Sequence, residues 1–429
     1  MLWERHLAAI SLPEGLSIRG KMPLPHKNQK ASLSARQACS KAMEVLRKKL
    51  EILKYTDEHD DFRQRLREFL EAEVTPFVDQ WEKEHIVPKS VWKAMGGKGF
   101  LCPALSSEYG GINGDFLHSV ILIEEIMRTN HTGLAAPLHN DIVVPYIDAY
   151  ASGEMKEKYL PGCVTGDIIT AVAMTEPDAG SDLASLKTTA VEKGETVVIN
   201  GSKTFITNGI NADLVIVAAR NPEEENPYQA ISLYLLEAST PGFKRGRHLE
   251  KMGYHSQDTA ELFFSDCRIP IENRLGERGA GFLMLMEKLQ QERLVCAIMG
   301  VAAAEFILAW TLAACRETVA GEKPLSKSQA VQFALVEMST EVKLGRTFVD
   351  KLVMDHMEKK NVVIETSMAK YWTTDMAKTV AGRCLDLLGD RANMETCPIV
   401  RTFRDARVMT IFAGTNEIMK EITARFMGL

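Results

Sequence analysis

The chain of 429 residues lacks closely spaced cysteines: its eight cysteines are scattered, and no two form a C-x-x-C pair. This spacing argues against a disulfide framework and against a zinc site, and it predicts reduced, mostly buried thiols in a reducing compartment. The chain also lacks an excess of positive charge, since its net charge is -6. A general nucleic-acid-binding protein needs a basic stripe, so that class is not expected.

The N-terminus lacks the uninterrupted apolar run of a secretory signal, although residues 1–54 are strongly basic. We interpret residues 1–55 as a solvated basic extension that ends in a helix over 34–53. A mitochondrial presequence is the alternative, because such segments are basic and poor in acidic residues. The expected location is therefore the cytoplasm, with the mitochondrial matrix as the alternative.

Long apolar runs are scarce, and one segment, 294–315, is long enough to cross a bilayer. It carries Glu305 near its middle, which costs about 2.5–3.5 kcal/mol at a bilayer centre on insertion scales. Much of the rest is alanine and glycine, which contribute little to insertion. The segment therefore predicts a helix at the centre of a soluble bundle or at a subunit interface, and no membrane span.

Hydrophobic residues make up 45% of the chain and charged residues 25%, which is typical of a globular enzyme with a sizeable core. The periodicity changes along the chain and divides it into segments. These are the extension (1–55), a helical N-terminal domain (56–170), a β middle domain (171–274) and a helical C-terminal domain (275–429). Strands do not alternate with helices, so the chain is expected to be α+β multidomain, without a doubly wound parallel sheet.

In the middle segment, short runs of apolar and β-branched residues predict strands at 188–192, 195–200, 203–207, 212–218, 230–236 and 259–264. Asn200-Gly201 predicts a hairpin turn between the second and third of these runs. The short spacing and the lack of intervening helices predict an antiparallel barrel or sandwich. The glycine-rich segment 276–281 follows no βαβ strand, so it is predicted to be a loop that caps the next helix.

The strongest local motif is MTEPDAGS at 174–181, in which two hydroxyl side chains, Thr175 and Ser181, bracket a stretch of turn-forming residues. Such a loop exposes backbone N–H groups that suit the polar edge of an aromatic cofactor and a nearby phosphate. The alternative is a tight turn into the β domain, with the hydroxyls satisfying the local backbone.

Three further motifs join this one in order: KTFITNG at 203–209, KMG at 251–253 with DTAEL at 258–262, and IFAGTNEIM at 411–419. From position 56 to the C-terminus, the chain resembles the acyl-CoA dehydrogenase family. The resemblance implies an α-helical N-terminal domain, an antiparallel β domain and a C-terminal four-helix bundle. It also implies a homotetrameric FAD enzyme that converts acyl-CoA to trans-2-enoyl-CoA and passes electrons to an electron-transferring flavoprotein.

The resemblance also implies which residues form the site. Cofactor-binding residues would be Met174, Thr175, Ser181, Phe205, Ile206, Thr207, Thr415 and Glu417. Substrate-binding residues would be Ser181, Gln290, Arg293, Phe412 and Gly414.

Position 413 lacks the glutamate that many family members use as the catalytic base, because it holds alanine. Glu292 stands in an L-x-x-E-R-L context that resembles the isovaleryl- and long-chain-type branches, where the base lies on this helix. The resemblance therefore implies that Glu292 removes the α proton. The alternative for this residue is an ordinary solvated helix position. The chain could also be a catalytically silent subunit that binds FAD or acyl-CoA, or a flavin oxidase or monooxygenase.

Two segments depart from the family pattern. Thr318 and Gly321 replace the arginine and phenylalanine that contact FAD across a subunit interface in the family. The segment 388–393 replaces a glycine-rich loop. Both changes bear on the adenine and pyrophosphate contacts and leave the flavin-ring motifs intact.

Overall fold

The secondary structure is helical, then β, then helical, in residues 52–320 and 323–429, which the computed structural model describes. This order confirms the predicted fold class. The basic extension, with its predicted helix over 34–53, lies almost wholly outside these residues.

The N-terminal domain consists of helices joined by short turns and by π-helical segments at Leu70–Val74 and His139–Val143. The helices are α1 (Asp57–Phe69), α2 (Val78–Glu84), α3 (Lys89–Gly97), α4 (Phe116–Arg128), α5 (Val144–Tyr150) and α6 (Gly153–Thr165), with a single turn at Ala136–Leu138. In α1, Phe62, Leu66 and Phe69 are buried at helical spacing, and acidic residues in the first turn complement the helix dipole. Local pattern and burial thus agree in this domain.

The middle domain is one eight-stranded sheet. Its strands are β1 (Thr170–Ala173), β2 (Thr189–Lys193), β3 (Thr196–Thr207), β4 (Leu214–Arg220), β5 (Ile231–Glu237), β6 (Phe243–His248), β7 (Thr259–Pro270) and β8 (Arg274–Leu275). The path runs β6-β7-β3-β2-β4-β5-β8, and β1 pairs with β4. Most neighbours are antiparallel, as predicted, but β1 and β2 each run parallel to β4, which makes the sheet mixed.

The predicted hairpin turn at Asn200-Gly201 is wrong, because both residues lie inside the continuous strand β3. Gly201 has a φ of 148°, and the register against β7 shifts between Ile199 and Gly201, as in a β-bulge. A side chain at 201 would begin 2.5 Å from Thr188 Oγ1. The turn that joins β2 to β3 lies instead at Gly194, whose φ is 59°.

The C-terminal domain is a bundle whose first helix supplies the core. It contains α7 (Gly281–Glu317), α8 (Gln329–Met357), α9 (Val363–Leu388), α10 (Pro398–Met409) and α11 (Asn416–Phe426), with a short hairpin of β9 (Val319–Ala320) and β10 (Lys323–Pro324). Helix α7 is long and apolar enough to cross a membrane, but 83% of its most apolar window is buried inside the protein. The α7 helix therefore behaves as the predicted bundle core.

Glu305, which interrupts the apolar run of α7, is paired inside the bundle. The Arg346 guanidinium of α8 donates two hydrogen bonds to its carboxylate, both of 2.8 Å. The same guanidinium lies 3.0 Å from Glu124 of α4 and 3.3 Å from Asp350. This buried cluster, Arg346 with its three carboxylates, joins the N-terminal domain to the bundle.

Helix α8 exposes an apolar stripe. Phe333, Val336 and Leu344 are 58%, 63% and 61% exposed, and their positions recur on one helical face. The sequence predicted that α7 lies at the centre of a bundle or at a subunit interface. The structure buries most of α7 within its own chain, and an exposed apolar face lies on α8.

Candidate functional site

Glu292 is not a solvated helix residue, because only 3% of it is exposed. The Tyr146 hydroxyl of α5 donates a 2.8 Å hydrogen bond to its Oε1. Burial raises the pKa of Glu292 to about 7, against the opposing effects of the Tyr146 hydrogen bond and the Arg293 charge. A carboxyl group with this pKa can accept or release a proton near neutral pH.

Two other predicted residues on α7 have contacts that differ from those of Glu292. Arg293 is buried and donates a 3.1 Å hydrogen bond from Nη1 to Ser367 Oγ. Its Nε is fully buried and has no hydrogen-bond partner among the described residues. The Gln290 amide contacts the α8–α9 connection, accepting from Val362 N at 2.9 Å. Because residues two apart on a helix differ by roughly 200°, Gln290 points away from Glu292.

The loop at 413 has left-handed backbone, with φ of 51° at Ala413 and 86° at Gly414. Lys370 of α9, fully buried, donates from Nζ to Gly414 O at 2.6 Å and to Asn416 Oδ1 at 3.1 Å. The Ala413 N–H donates no hydrogen bond to any residue that the structure describes. The loop therefore presents an available amide, and Lys370, which sequence analysis missed, fixes its position.

The 413 loop and Glu292 belong to the same cluster. Cys296, one turn after Glu292, interacts electrostatically with both Glu292 and Lys370. Burial lowers the pKa of Lys370 to about 8. Glu292 on α7 and Lys370, which holds the 413 loop, thus both lie near Cys296.

The structure brings together two of the predicted cofactor segments. Thr204 N donates to Thr175 O at 2.9 Å, and Lys203 Nζ donates to Met174 O at 2.8 Å. Phe205, which follows Thr204 in the chain, has a side chain that is 66% exposed and a backbone φ of 58°. A large aromatic ring held outward in left-handed backbone fits stacking against a planar ligand.

The remaining predicted cofactor residues occupy different environments. The Ile206 side chain is buried in the sheet core, so only its backbone can face a ligand, while Ser181 is exposed. Thr415 caps α11 by accepting from Ile418 N at 3.2 Å, and Glu417 lies exposed in the first turn of α11.

Contacts across domains connect the cofactor segments to the C-terminal loop. Thr207 Oγ1 lies 3.4 Å from Gln257 Oε1, and Gln257 Nε2 donates to Thr132 O at 3.4 Å. Thr132 Oγ1 donates to Asp405 Oδ2 at 2.6 Å, and Asp405 in turn accepts from Tyr254 N. The Tyr254 ring packs edge-on to Phe412, with 6.1 Å between centroids. One connected set of contacts thus extends from the KTFITNG motif to the 413 loop.

The two segments that depart from the family pattern contact one another. Arg391, in the segment that replaces the glycine-rich loop, donates from Nη1 to Thr318 Oγ1 at 3.0 Å. A guanidinium therefore lies beside the position where the family carries arginine. Gly321 falls outside the described residues.

Three features fit the binding of a dinucleotide flavin. They are an exposed aromatic ring, an exposed hydroxyl in a turn, and a cation near the altered segments. Three family models match the chain. They are the acyl-CoA dehydrogenase N-terminal domain at residues 56–167, the middle domain at 171–267 and the C-terminal domain at 279–428.

Individual proteins agree with these matches. The chain is 43% identical to the mitochondrial long-chain specific acyl-CoA dehydrogenase of Rattus norvegicus over 86% of each chain. The crystal structure of an acyl-CoA dehydrogenase from Geobacillus kaustophilus is 52% identical, with a TM-score of 0.86, and covers 87% of this chain and 99% of that one. A chain in a structure of the electron transferring flavoprotein of Acidaminococcus fermentans is 32% identical, with a TM-score of 0.83, over 87% and 99%. The protein therefore belongs to the acyl-CoA dehydrogenase family of FAD-dependent oxidoreductases.

Proposed function

We propose that this protein oxidises an acyl-CoA to the trans-2-enoyl-CoA, with Glu292 as the base that removes the α proton. The observation that supports this most directly is the burial of Glu292, with its carboxyl hydrogen-bonded to Tyr146 and its pKa near neutrality. A solvated glutamate would be a weaker base, because water stabilises its charge.

Other residues of the site would polarise the thioester carbonyl and bind the cofactor. The Ala413 N–H polarises the thioester carbonyl and stabilises the negative charge that develops when the α proton leaves. Lys370 holds that amide in place through Gly414. Met174, Thr175, Ser181, Phe205, Thr207 and Thr415 would hold FAD. Bound FAD supplies the acceptor, N5, for the hydride from the β carbon.

The proposal includes the fate of the electrons. They pass to an electron-transferring flavoprotein, since a buried reduced flavin needs a partner that accepts single electrons. The similarity to a chain in a structure of the electron transferring flavoprotein of Acidaminococcus fermentans supports this partner. The similarity to the long-chain specific rat enzyme makes a long-chain acyl-CoA the first substrate to test.

Anaerobic mixing with acyl-CoA tests the function. We expect a long-chain acyl-CoA to bleach the visible flavin absorbance, and an electron-transferring flavoprotein to restore it. The matching trans-2-enoyl-CoA, in which the Cα–Cβ bond is already a double bond, is the control and should not bleach the flavin. A protein that binds acyl-CoA without bleaching would be a silent subunit. Rapid oxygen consumption without an added acceptor would identify an oxidase or monooxygenase.

We also propose that the chain forms a homo-oligomer, a tetramer as in the family, through the apolar stripe on α8. Leu344→Glu should lower the oligomer mass measured by light scattering at micromolar concentration, because a buried charge at a subunit contact costs several kcal/mol. Leu283→Glu is the matched control: Leu283 is 71% exposed on α7, outside the stripe. A monomeric wild type, or equal masses for the two variants and the wild type, would contradict this interface.

A further inference from the structure

The hydrogen bond to Glu292 comes from another domain. Tyr146 belongs to the N-terminal domain and Glu292 to the bundle, yet Oη and Oε1 lie 2.8 Å apart. Tyr146 is fully buried and Glu292 is 3% exposed. A hydrogen bond between two buried groups is not weakened by competing water, so it can fix the orientation of a carboxylate.

The local backbone places Tyr146 against α7. The π-helical segment His139–Val143 leads directly into α5, and π-helical turns often occur at functional sites. Gln291, next to Glu292, donates from Nε2 to Asp141 O of this segment at 2.7 Å. Gln291 and Glu292 are neighbours on α7, and both form hydrogen bonds with the segment that contains the π-helical turn and α5. These two contacts fix the position of that segment along α7.

The two carboxylate oxygens of Glu292 differ. Oε1 accepts the tyrosine hydrogen bond. No residue in the described part of the chain donates a hydrogen bond to Oε2. Oε2 is also not one of the fully buried side-chain atoms that lack a hydrogen-bond partner. The contact with Tyr146 thus leaves one oxygen occupied and one available.

We propose that Tyr146 is a positioning residue for the reaction: it holds Oε1 of Glu292 in place, so that Oε2 takes the α proton of the substrate. This inference rests on the proposed function of Glu292. The hydroxyl proton stays on Tyr146, and the substrate proton forms its new bond to Oε2. A hydroxyl that donates to a carboxylate also favours the ionised form, which is the form that acts as a base.

The groups that face Glu292 set the sign of the expected pH effect. They are Tyr146 from α5 and, on α7, Arg293 and Cys296, with Lys370 of α9 beside the latter two. Burial raises the pKa of Glu292, and the Tyr146 hydrogen bond opposes this effect. Removing the hydroxyl therefore raises the pKa further, so a smaller fraction of Glu292 is ionised at neutral pH.

Tyr146→Phe, studied as the FAD-loaded enzyme, tests the inference. We expect the pH midpoint for anaerobic flavin reduction by acyl-CoA to move up by about one unit, as a charge-assisted hydrogen bond implies. The rate at pH 7 should fall about five- to tenfold and recover only in part above pH 9, because the carboxylate is ionised there but is no longer held by the hydroxyl. FAD content, melting temperature and the dissociation constant for acyl-CoA should stay near wild type.

Tyr150→Phe is the matched control, because the Tyr150 hydroxyl donates to the exposed Glu287 on the same helix pair. Its midpoint should equal the wild-type value. An unchanged midpoint in Tyr146→Phe, at any plateau rate, would overturn the positioning role. That outcome is distinct from failure of the proposed function, which would appear as rapid flavin reduction in a Glu292→Gln variant.

Discussion

Glu292→Gln is expected to slow anaerobic flavin reduction by acyl-CoA at least about a hundredfold, within the usual range for a positioned general base. Glutamine keeps the size and helix propensity of the residue but cannot take the α proton. Because the amide can still interact with Tyr146, the local packing should survive. Stopped-flow absorbance measures the rate, and FAD content and acyl-CoA binding should remain close to wild type.

Glu287→Gln is a matched control on the same helix, since Glu287 is exposed and its side chain accepts a hydrogen bond from Tyr150. It should leave the rate within about twofold, the range expected of a surface substitution. Near-normal reduction in Glu292→Gln would show that a different residue is the base.

The alanine at 413 provides a second test of the same geometry. If Glu292 and position 413 face the same substrate carbon, Glu292→Gln/Ala413→Glu should recover measurable reduction. Ala413 already has left-handed backbone held by Lys370 through Gly414, so the new side chain starts from a fixed position. Recovery should be partial, because a glutamate in left-handed backbone is strained and small errors in placement are costly. No recovery, with FAD and acyl-CoA bound, would contradict the convergence of the two positions.

Arg346→Met is expected to lower the free energy of unfolding by about 3–5 kcal/mol, the usual cost of breaking a buried charge cluster. Methionine keeps much of the volume but leaves Glu305, Glu124 and Asp350 without the guanidinium that they share. Urea denaturation at a fixed excess of FAD measures the change, since ligand binding alone shifts apparent stability.

The loss of unfolding free energy caused by Arg346→Met should become smaller as the pH falls. Burial raises the pKa of Asp350 to about 6 even with Arg346 present, and loss of the guanidinium removes an effect that lowers it. A carboxyl group whose folded-state pKa exceeds its unfolded value binds protons on folding, so it destabilises the fold above that pKa and less below it. Stability curves at pH 5.5 and pH 8 should therefore differ more for the variant than for wild type.

Arg383→Met is the comparison for this experiment, because Arg383 pairs with Glu337 and Glu341 near the surface. Loss of the Arg383 guanidinium should lower the free energy of unfolding by no more than about 1 kcal/mol. A similar small cost for Arg346→Met would show that the buried cluster adds little to the joint between the N-terminal domain and the bundle.

Local sequence patterns predicted the helices that are defined by their own residues. Helix α1 follows from the spacing of its apolar residues, which are buried on one face, and helix α7 follows from a long run that is apolar on all faces and is mostly buried. The Asn200-Gly201 prediction failed for the opposite reason. The dipeptide favours a turn, but pairing with β7, some 60 residues later, holds it inside a strand as a bulge. Tertiary hydrogen bonds outweighed a local preference.

The chain's motifs identified Glu292 and the loop at 413 as candidates, and the alanine at 413, which cannot take a proton, made Glu292 the candidate base. Nothing in the sequence indicated Tyr146 or Lys370, because each acts on a partner far along the chain: 146 residues for Tyr146 with Glu292, and 44 for Lys370 with Gly414. Residue type and periodicity describe which face of an element is apolar. Only packing of the three domains decides which polar side chains meet in the interior, and there low dielectric makes each such contact strong enough to set the state of a base.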